Sequence, residues 1–258
     1  MACAVGVDRT HLLARLGDPV LPDHRASLDA MVARRLSREP LAYIVGEREF
    51  YDVLIECAPG ALIPRPETEM LVAFAVEQAR RVGAGARVAD VGTGSGAIAV
   101  AVALNAPQAT ITAIDTSVAA LDIAERNVVR HGLESQVTVT QGDMLAGRGE
   151  FDVVVANLPY VAERDWRDLA PEIRDYEPRA ALVAGPTGSE LIEILLRAAP
   201  AHLAGHGSMA LEIGVGQAAA LLEAARRGFP EANVCVMKDF GGIERVLTVA
   251  PRELHGPG

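Results

Sequence analysis

Two stretches of the chain bring together residue types that could do chemistry. In VADVGTGSGAIAV, the turn Gly92-Thr93-Gly94 and the nearby Gly96 separate a β-branched run from an alanine-rich one. Glycine allows positive φ and close backbone approach to a ligand, so a strand, glycine turn and helix in this order mark a nucleotide-type cofactor site. With Ala97 the turn also satisfies Gly-x-Gly-x-x-Ala, which leaves a nicotinamide cofactor and S-adenosyl-L-methionine both open. Asp115 lies 19 residues beyond Gly96 at the end of the next apolar run, where an acidic side chain can take both ribose hydroxyls or cap the helix that follows. Asp90, just before the glycines, suits a cationic or amine-bearing cofactor tail, or a plain strand-end turn. No Gly-Lys-Ser/Thr follows the turn and the sole lysine, Lys238, is distant, so nucleoside triphosphate hydrolysis is excluded.

The second stretch, FDVVVANLPYV, delivers Asn157, Leu158, Pro159 and Tyr160 at the end of an apolar strand. Open α/β sheets bind ligands at that edge. There the Asn157 side-chain oxygen and the Leu158 carbonyl can accept both hydrogens of a planar nitrogen while Tyr160 packs on its face. A delocalised lone pair makes such a nitrogen a poor nucleophile. Accepting both of its hydrogens returns electron density to it, and fixing it about 3 to 3.5 Å from a sulfonium methyl makes displacement effectively unimolecular. The plainer alternative is a strand-terminating turn with Asn157 capping backbone groups and Tyr160 in the core. Hydride transfer would leave the tetrapeptide without a role.

These residues require a sheet with helices on both faces. From Ala61 onward strand and helix signals alternate, as in a mainly parallel sheet. Strands are predicted at 87–91, 110–114, 137–140, 151–156, 208–213, 233–238 and 245–249, with the last two joined as a hairpin through Asp239-Phe240-Gly241-Gly242. Helices are predicted at 66–81, opened by Pro66 with Glu67 and Glu69 at the positive end, and at 97–104, 118–131, 189–199 and 217–227. The expected fold is α/β, a Rossmann-like seven-stranded sheet over 61–258. Before it stand a short helical segment over 1–40, with Ser27 as a cap, and a β-hairpin linker over 41–60. No internal repeat is present.

Composition narrows the classes. Half of the 258 residues are hydrophobic and 22% charged, as in an ordinary globular protein. The longest unbroken apolar run, Ala97 to Leu104, is far short of the roughly 18 residues a membrane span needs, and the amino terminus lacks a basic region before its apolar run. A cytoplasmic protein without a membrane partner is expected. The net charge of −10 opposes attraction to phosphate backbones, so no nucleic acid is expected either. Cys3, Cys57 and Cys235 show no Cys-x-x-Cys spacing and read as reduced structural thiols. His202 and His206 lie among glycines without a metal-binding glutamate and read as a solvated loop, so no metal is expected. Trp166 could cover the acceptor pocket or pack on the sheet edge.

REPLAYIVGEREF, LIPRPETE, VADVGTGSGAIAV, AIDTS, QGDML, VANLPYV, IRDYEPRAAL and KDFGGIERVLTV together cover nearly all of residues 38–249. In this the chain resembles the HemK/PrmC family of glutamine amide methyltransferases, which modify the Gly-Gly-Gln loop of peptide chain release factors. The resemblance implies a class I methyltransferase sheet in which Gly92, Gly94, Asp115 and Asp143 bind S-adenosylmethionine, with Asp143 near the adenine and Asn157 also against the cofactor, and in which Asn157 to Tyr160 hold the acceptor. It places Pro64, Arg65, Pro66 and Glu67 along the site, where they also suit a helix start. It places Glu177 on a substrate-side loop, with an ion pair to Arg179 as the alternative. The family's usual Asn-Pro-Pro-Tyr has Leu158 in place of its first proline, which keeps the carbonyl and adds an N–H. The leader of about forty residues is short for the family, so a free amino acid such as arginine stands as the alternative acceptor to a release factor. NLPY also resembles the tetrapeptide of rRNA adenine dimethyltransferases, which the acidic charge opposes. A non-catalytic binding module is the remaining reading.

Overall fold

The computed structural model describes residues 1–252. Four helices lead the chain: α1 Ala2–Val5, α2 Arg9–Ala14, α3 Pro22–Leu36 and α4 Leu41–Val45. Asp8 caps α2 by accepting from the His11 N–H at 2.8 Å. The helix expected to start at Ser27 starts at Pro22 instead, because proline is tolerated in a first turn and Ser27 then sits inside the helix. No residue of α3 is buried. It is held through polar contacts: Arg35 and Arg38 grip Glu172 at 2.9 and 2.8 Å, and the Tyr176 hydroxyl donates to the Ser37 carbonyl at 2.6 Å.

Only part of 41–60 is hairpin. LAYIV coils into α4, which ends at Gly46 with φ 89°, and the strands are the short β1 Glu47–Phe50 and β2 Val53–Glu56. Tyr51 and Asp52 both take positive φ, as a two-residue hairpin turn demands.

The main sheet is formed by β3 Arg87–Val91, β4 Thr110–Asp115, β5 Val137–Gln141, β6 Phe151–Ala156, β9 Leu203–Glu212, β10 Ala232–Lys238 and β11 Glu244–Pro251. Its seven strands run in the order β10-β11-β9-β6-β3-β4-β5. The strands from β9 to β5 pair in parallel, and β11 and β10 close one edge antiparallel. The remaining two strands, β7 Val161–Ala162 and β8 Val183–Gly185, pair with each other outside this sheet, which sequence patterning did not show.

A 3₁₀ turn at Pro66–Thr68 precedes α5 Glu69–Val82, where one continuous helix was expected. Then come α6 Ala97–Asn105, α7 Val118–Arg130, α8 Pro171–Arg174, α9 Glu190–Ala198 and α10 Ala218–Gly228. One core cluster packs α5, α6 and the end of α7 on one sheet face; a second packs α9 and α10 on the other. All six residues of β6 are buried, as are Ala97 to Ala103 of α6, so both read as unbroken apolar runs and not as alternating ones. Strand β9 begins at Leu203, five residues before the predicted start, because Gly205 and Gly207 hide it; the register against β6 shifts there. His206 is therefore on a strand, 3.1 Å from Asp152, and not in a solvated loop.

β3 stands between β6 and β4: the chain runs from it to β4 and β5 on one side, then crosses back to β6 on the other. That reversal opens a crevice at the carboxyl ends of β3 and β6, where the glycine turn and Asn157 both fall.

Candidate functional site

A cavity of about 230 Å³ occupies this crevice. Gly92, Thr93, Gly94, Asp115, Asp143, Asn157, Leu158, Pro159 and Pro64 all border it. Arg65, Pro66, Glu67, Asp90, Gly96, Tyr160 and Glu177 are not on its wall, and each has a supporting contact or position instead.

The glycine turn is built from β3 outward. The Gly92 and Thr93 N–H groups donate to the Ile114 carbonyl at 2.8 and 2.9 Å, which ties the turn to the end of β4. Gly92 has φ 72°, and a Cβ there would sit 2.8 Å from Leu158 Cδ2. The buried Leu158 side chain thus fits only over a glycine, and this close approach couples the two motifs. Gly96 opens α6 against Ala124.

Asp115 serves both readings. Its Oδ2 accepts the Gly94 N–H and its Oδ1 the Ser117 N–H, each at 2.9 Å. A carboxylate offers about four acceptor positions, so these two bonds leave capacity facing the cavity. Next to Asp143, Met144 borders the cavity with φ 51°, an unusual conformation for a non-glycine residue.

Beneath the turn Asp90 is fully buried. Its Oδ2 accepts from the Thr93 hydroxyl at 2.6 Å and the Ala99 N–H at 3.1 Å, but Oδ1 has no partner. Burial pushes this carboxyl up to about 7, only partly opposed by those two hydrogen bonds, and the nearby Asp115 charge adds to the rise.

Asn157 Nδ2 donates to Thr68 Oγ1 at 2.9 Å, and the Thr68 hydroxyl donates to Glu212 Oε2 at 2.7 Å. The Tyr160 hydroxyl donates to the other oxygen, Oε1, at 3.1 Å, and Gln217 Nε2 donates to the Tyr160 carbonyl at 3.0 Å. Burial raises Tyr160, with the Glu212 charge acting the same way, so it is held as a phenol. Burial raises Glu212 too, with Glu67 adding to the rise and Thr68, Tyr160 and Arg245 opposing it. Gly188 (φ 86°) carries a second close approach, since a Cβ there would lie 2.5 Å from the Tyr160 carbonyl oxygen.

Glu177 pairs with neither the cavity nor Arg179. Its carboxylate, buried, accepts the Ile63 N–H at 3.1 Å and an Arg65 Nη2 hydrogen at 2.5 Å, tying LIPRPETE to the 169–181 loop. Arg179 instead reaches Glu163 and lies 5.6 Å from the centre of the Trp166 ring, so Trp166 braces that loop and does not line the cavity. Of the cysteines only Cys57 is buried, its thiol pushed up to about 11; Cys3 and Cys235 are exposed. Among the described residues no group of three His, Cys, Asp or Glu could hold a metal, and no helix is long and apolar enough to cross a membrane.

Residues 68–173 match the methyltransferase small domain family and residues 1–46 the PrmC N-terminal domain family. The release factor glutamine methyltransferase of Geobacter sulfurreducens is 39% identical over 250 residues, 96% of this chain and 86% of that protein. The chain belongs to the release factor glutamine methyltransferase family. The family's Bordetella pertussis member is 42% identical over 94% of this chain and 89% of its own length. The crystal structure of ribosomal protein L11 methylase from Lactobacillus delbrueckii subsp. bulgaricus shares the fold, with TM-score 0.55 and 22% identity over 76% of this chain and 84% of that one. The chain is a methyltransferase enzyme. Its leader, read from sequence as short for the family, matches the family's N-terminal domain.

Sequence reading missed three residues that brace the candidate site of this methyltransferase. Thr68 and Glu212 were hidden in a helix start and in a strand, although an acid inside the apolar run SMALEIG is a usable signal. Asn127, fully buried on α7, accepts the Glu56 N–H at 2.8 Å and donates to the Ser95 carbonyl at 2.9 Å, joining the hairpin to the glycine turn. Nothing in its sequence context marks it.

Asp90 carries a pH prediction. Its folded value of about 7 stands above the ordinary 3.8, so the folded chain keeps a proton that the unfolded chain releases. That contribution is complete below about pH 4 and is lost as pH rises to about 7, at about 1.4 kcal/mol per pH unit. Without ligand, the wild type is expected to lose thermal stability relative to Asp90→Asn across this interval. Melting curves in a buffer series read the difference, and parallel pH profiles for the two proteins would contradict it.

Proposed function

We propose that the chain binds S-adenosyl-L-methionine in the crevice and methylates the glutamine side-chain amide of a peptide chain release factor, in the cytoplasm. The observation that carries this is the Asn157 amide on the cavity wall beside the glycine turn, with Nδ2 committed to Thr68 and Oδ1 left as the acceptor. The names of the relatives supply the substrate.

The residues present suit the cofactor. Asp90 Oδ1, buried and without a partner, is the type of acceptor an ammonium group would complete. Asp115 would take ribose hydroxyls and Asp143 the adenine, with Gly92, Thr93, Gly94 and Gly96 shaping the turn between them. When bound, the cofactor supplies an electrophilic methyl on a sulfonium.

Everything else falls to the chain. Asn157 Oδ1 and the Leu158 carbonyl accept the two amide hydrogens, which returns electron density to the nitrogen and fixes the direction its face presents. Pro159 stiffens the turn and Tyr160, fixed at its hydroxyl and its carbonyl, packs on the face of the amide. Held in this way, the nitrogen would face the methyl that the cofactor supplies, and the proton it gives up would pass to water, since no side chain at Asn157 to Tyr160 is free to take it. Tyr160 is not the base, since its own proton is committed to Glu212. Pro64 lines the approach, while Arg65 and Glu177 hold that wall, with Pro66 and Glu67 opening the turn that carries Thr68.

The test is transfer of a labelled methyl group, with release factor, free glutamine and free arginine offered in parallel. Label is expected on the release factor. Label on arginine with none on the release factor would overturn the substrate assignment.

A further inference from the structure

We propose that Glu212 and Thr68 are positioning residues that decide which end of the Asn157 amide faces the cavity. The inference rests on the reading of Asn157 as the acceptor-binding residue. An amide presents an oxygen at one end and an NH2 at the other, and the two ends are nearly equal in shape. Packing alone therefore cannot choose between them. A hydrogen-bond chain with a fixed direction can.

The chain runs Asn157 Nδ2 to Thr68 Oγ1 at 2.9 Å, then Thr68 Oγ1 to Glu212 Oε2 at 2.7 Å. A threonine hydroxyl has one proton. Glu212 accepts at Oε1 from Tyr160 as well, so its carboxylate acts as an acceptor at both oxygens. The Thr68 proton is thereby committed to Glu212, and the hydroxyl can only accept from Asn157. Only Nδ2 can supply that hydrogen, so Oδ1 is turned to the site. If the direction were reversed, Asn157 would present NH2 to an acceptor nitrogen that itself carries two hydrogens, and neither could accept. All three members lie in different segments: Thr68 in the turn before α5, Asn157 after β6 and Glu212 at the end of β9. Thr68 and Glu212 are buried, at 4% and 1% exposure, so water does not compete for these bonds.

Thr68→Val keeps the shape and removes the hydroxyl. Glu212→Gln keeps the shape and places a donor where only acceptors stood. Each is expected to lower kcat at saturating cofactor at least 10-fold, with the Kd for S-adenosylmethionine by calorimetry within twofold of wild type. Thr68→Ser, which restores the hydroxyl, is expected to recover most of what Thr68→Val loses. Turnover within twofold of wild type in Thr68→Val or Glu212→Gln would overturn the proposal. So would equal losses in Thr68→Val and Thr68→Ser, which would point to packing. Should Glu212→Gln not fold, the Thr68 pair decides alone. Asn157→Ala is assayed alongside: if it too turns over normally, the acceptor site itself is wrong and the positioning role falls with it, whereas a defective Asn157→Ala beside an active Thr68→Val rejects the positioning role only.

Discussion

Asn157→Ala is expected to lower turnover by about two orders of magnitude or more while leaving affinity for S-adenosylmethionine within a few fold. The loss follows from removing an acceptor whose bond strengthens as charge develops on the nitrogen; one such group is worth roughly 10² to 10³ in kcat. Cofactor affinity should survive because the groups assigned to the cofactor, Asp90, Asp115 and the glycine turn, are tied to β3 and β4 and not to Asn157. The substitution also strips Thr68 of a donor, but Thr68 keeps its bond to Glu212, so the fold is retained. Single-turnover methyl transfer together with cofactor calorimetry measures both halves. Turnover near the wild-type rate would remove Asn157 from the mechanism, and a matching loss of cofactor affinity would show a structural defect in the turn.

Arg65→Ala is expected to carry the largest stability loss, about 3 kcal/mol. The Glu177 side chain is 1% exposed and is balanced by the Arg65 guanidinium and the Ile63 N–H. Removing one partner of a buried pair leaves a charge uncompensated, which costs roughly 3 to 5 kcal/mol; the 23% exposure of Arg65 lets some water in and favours the lower end. Arg65→Ala with Glu177→Gln should recover much of it, because the neutral amide no longer needs the cation. Urea midpoints at unchanged m-value read both proteins. A single-variant loss under about 1 kcal/mol, or no recovery in the double variant, would contradict this account of the pair.

Much of this site was readable before folding because its parts are local. A glycine turn after a β-branched run, an acid at the next strand end and Asn-Leu-Pro-Tyr closing a buried strand each depend on residues within one strand and its turn. Those motifs landed at the carboxyl edge of the sheet as expected, and six of the seven strands were placed within a residue or two. The misses have local causes as well. Ser27 suits a cap, yet Pro22 starts α3; Gly205 and Gly207 mask the front of β9; and LAYIV, rich in β-formers, coils because Gly46 ends α4 in the left-handed region.

Which residues the motifs lean on was not readable. Glu177 was expected on the substrate side and lies under Arg65, 112 residues away in sequence; Glu212 was unmarked and meets Thr68 across 144. Pairings of that separation depend on the order in which strands assemble, and a carboxylate's partner leaves no trace in its neighbours along the chain. The chain's own order of residues was enough to place the glycine turn and Asn157 at one edge of the sheet. The direction in which the Asn157 amide points came only with packing, since one buried carboxylate and one hydroxyl proton, brought together from distant segments, leave it a single way to bond.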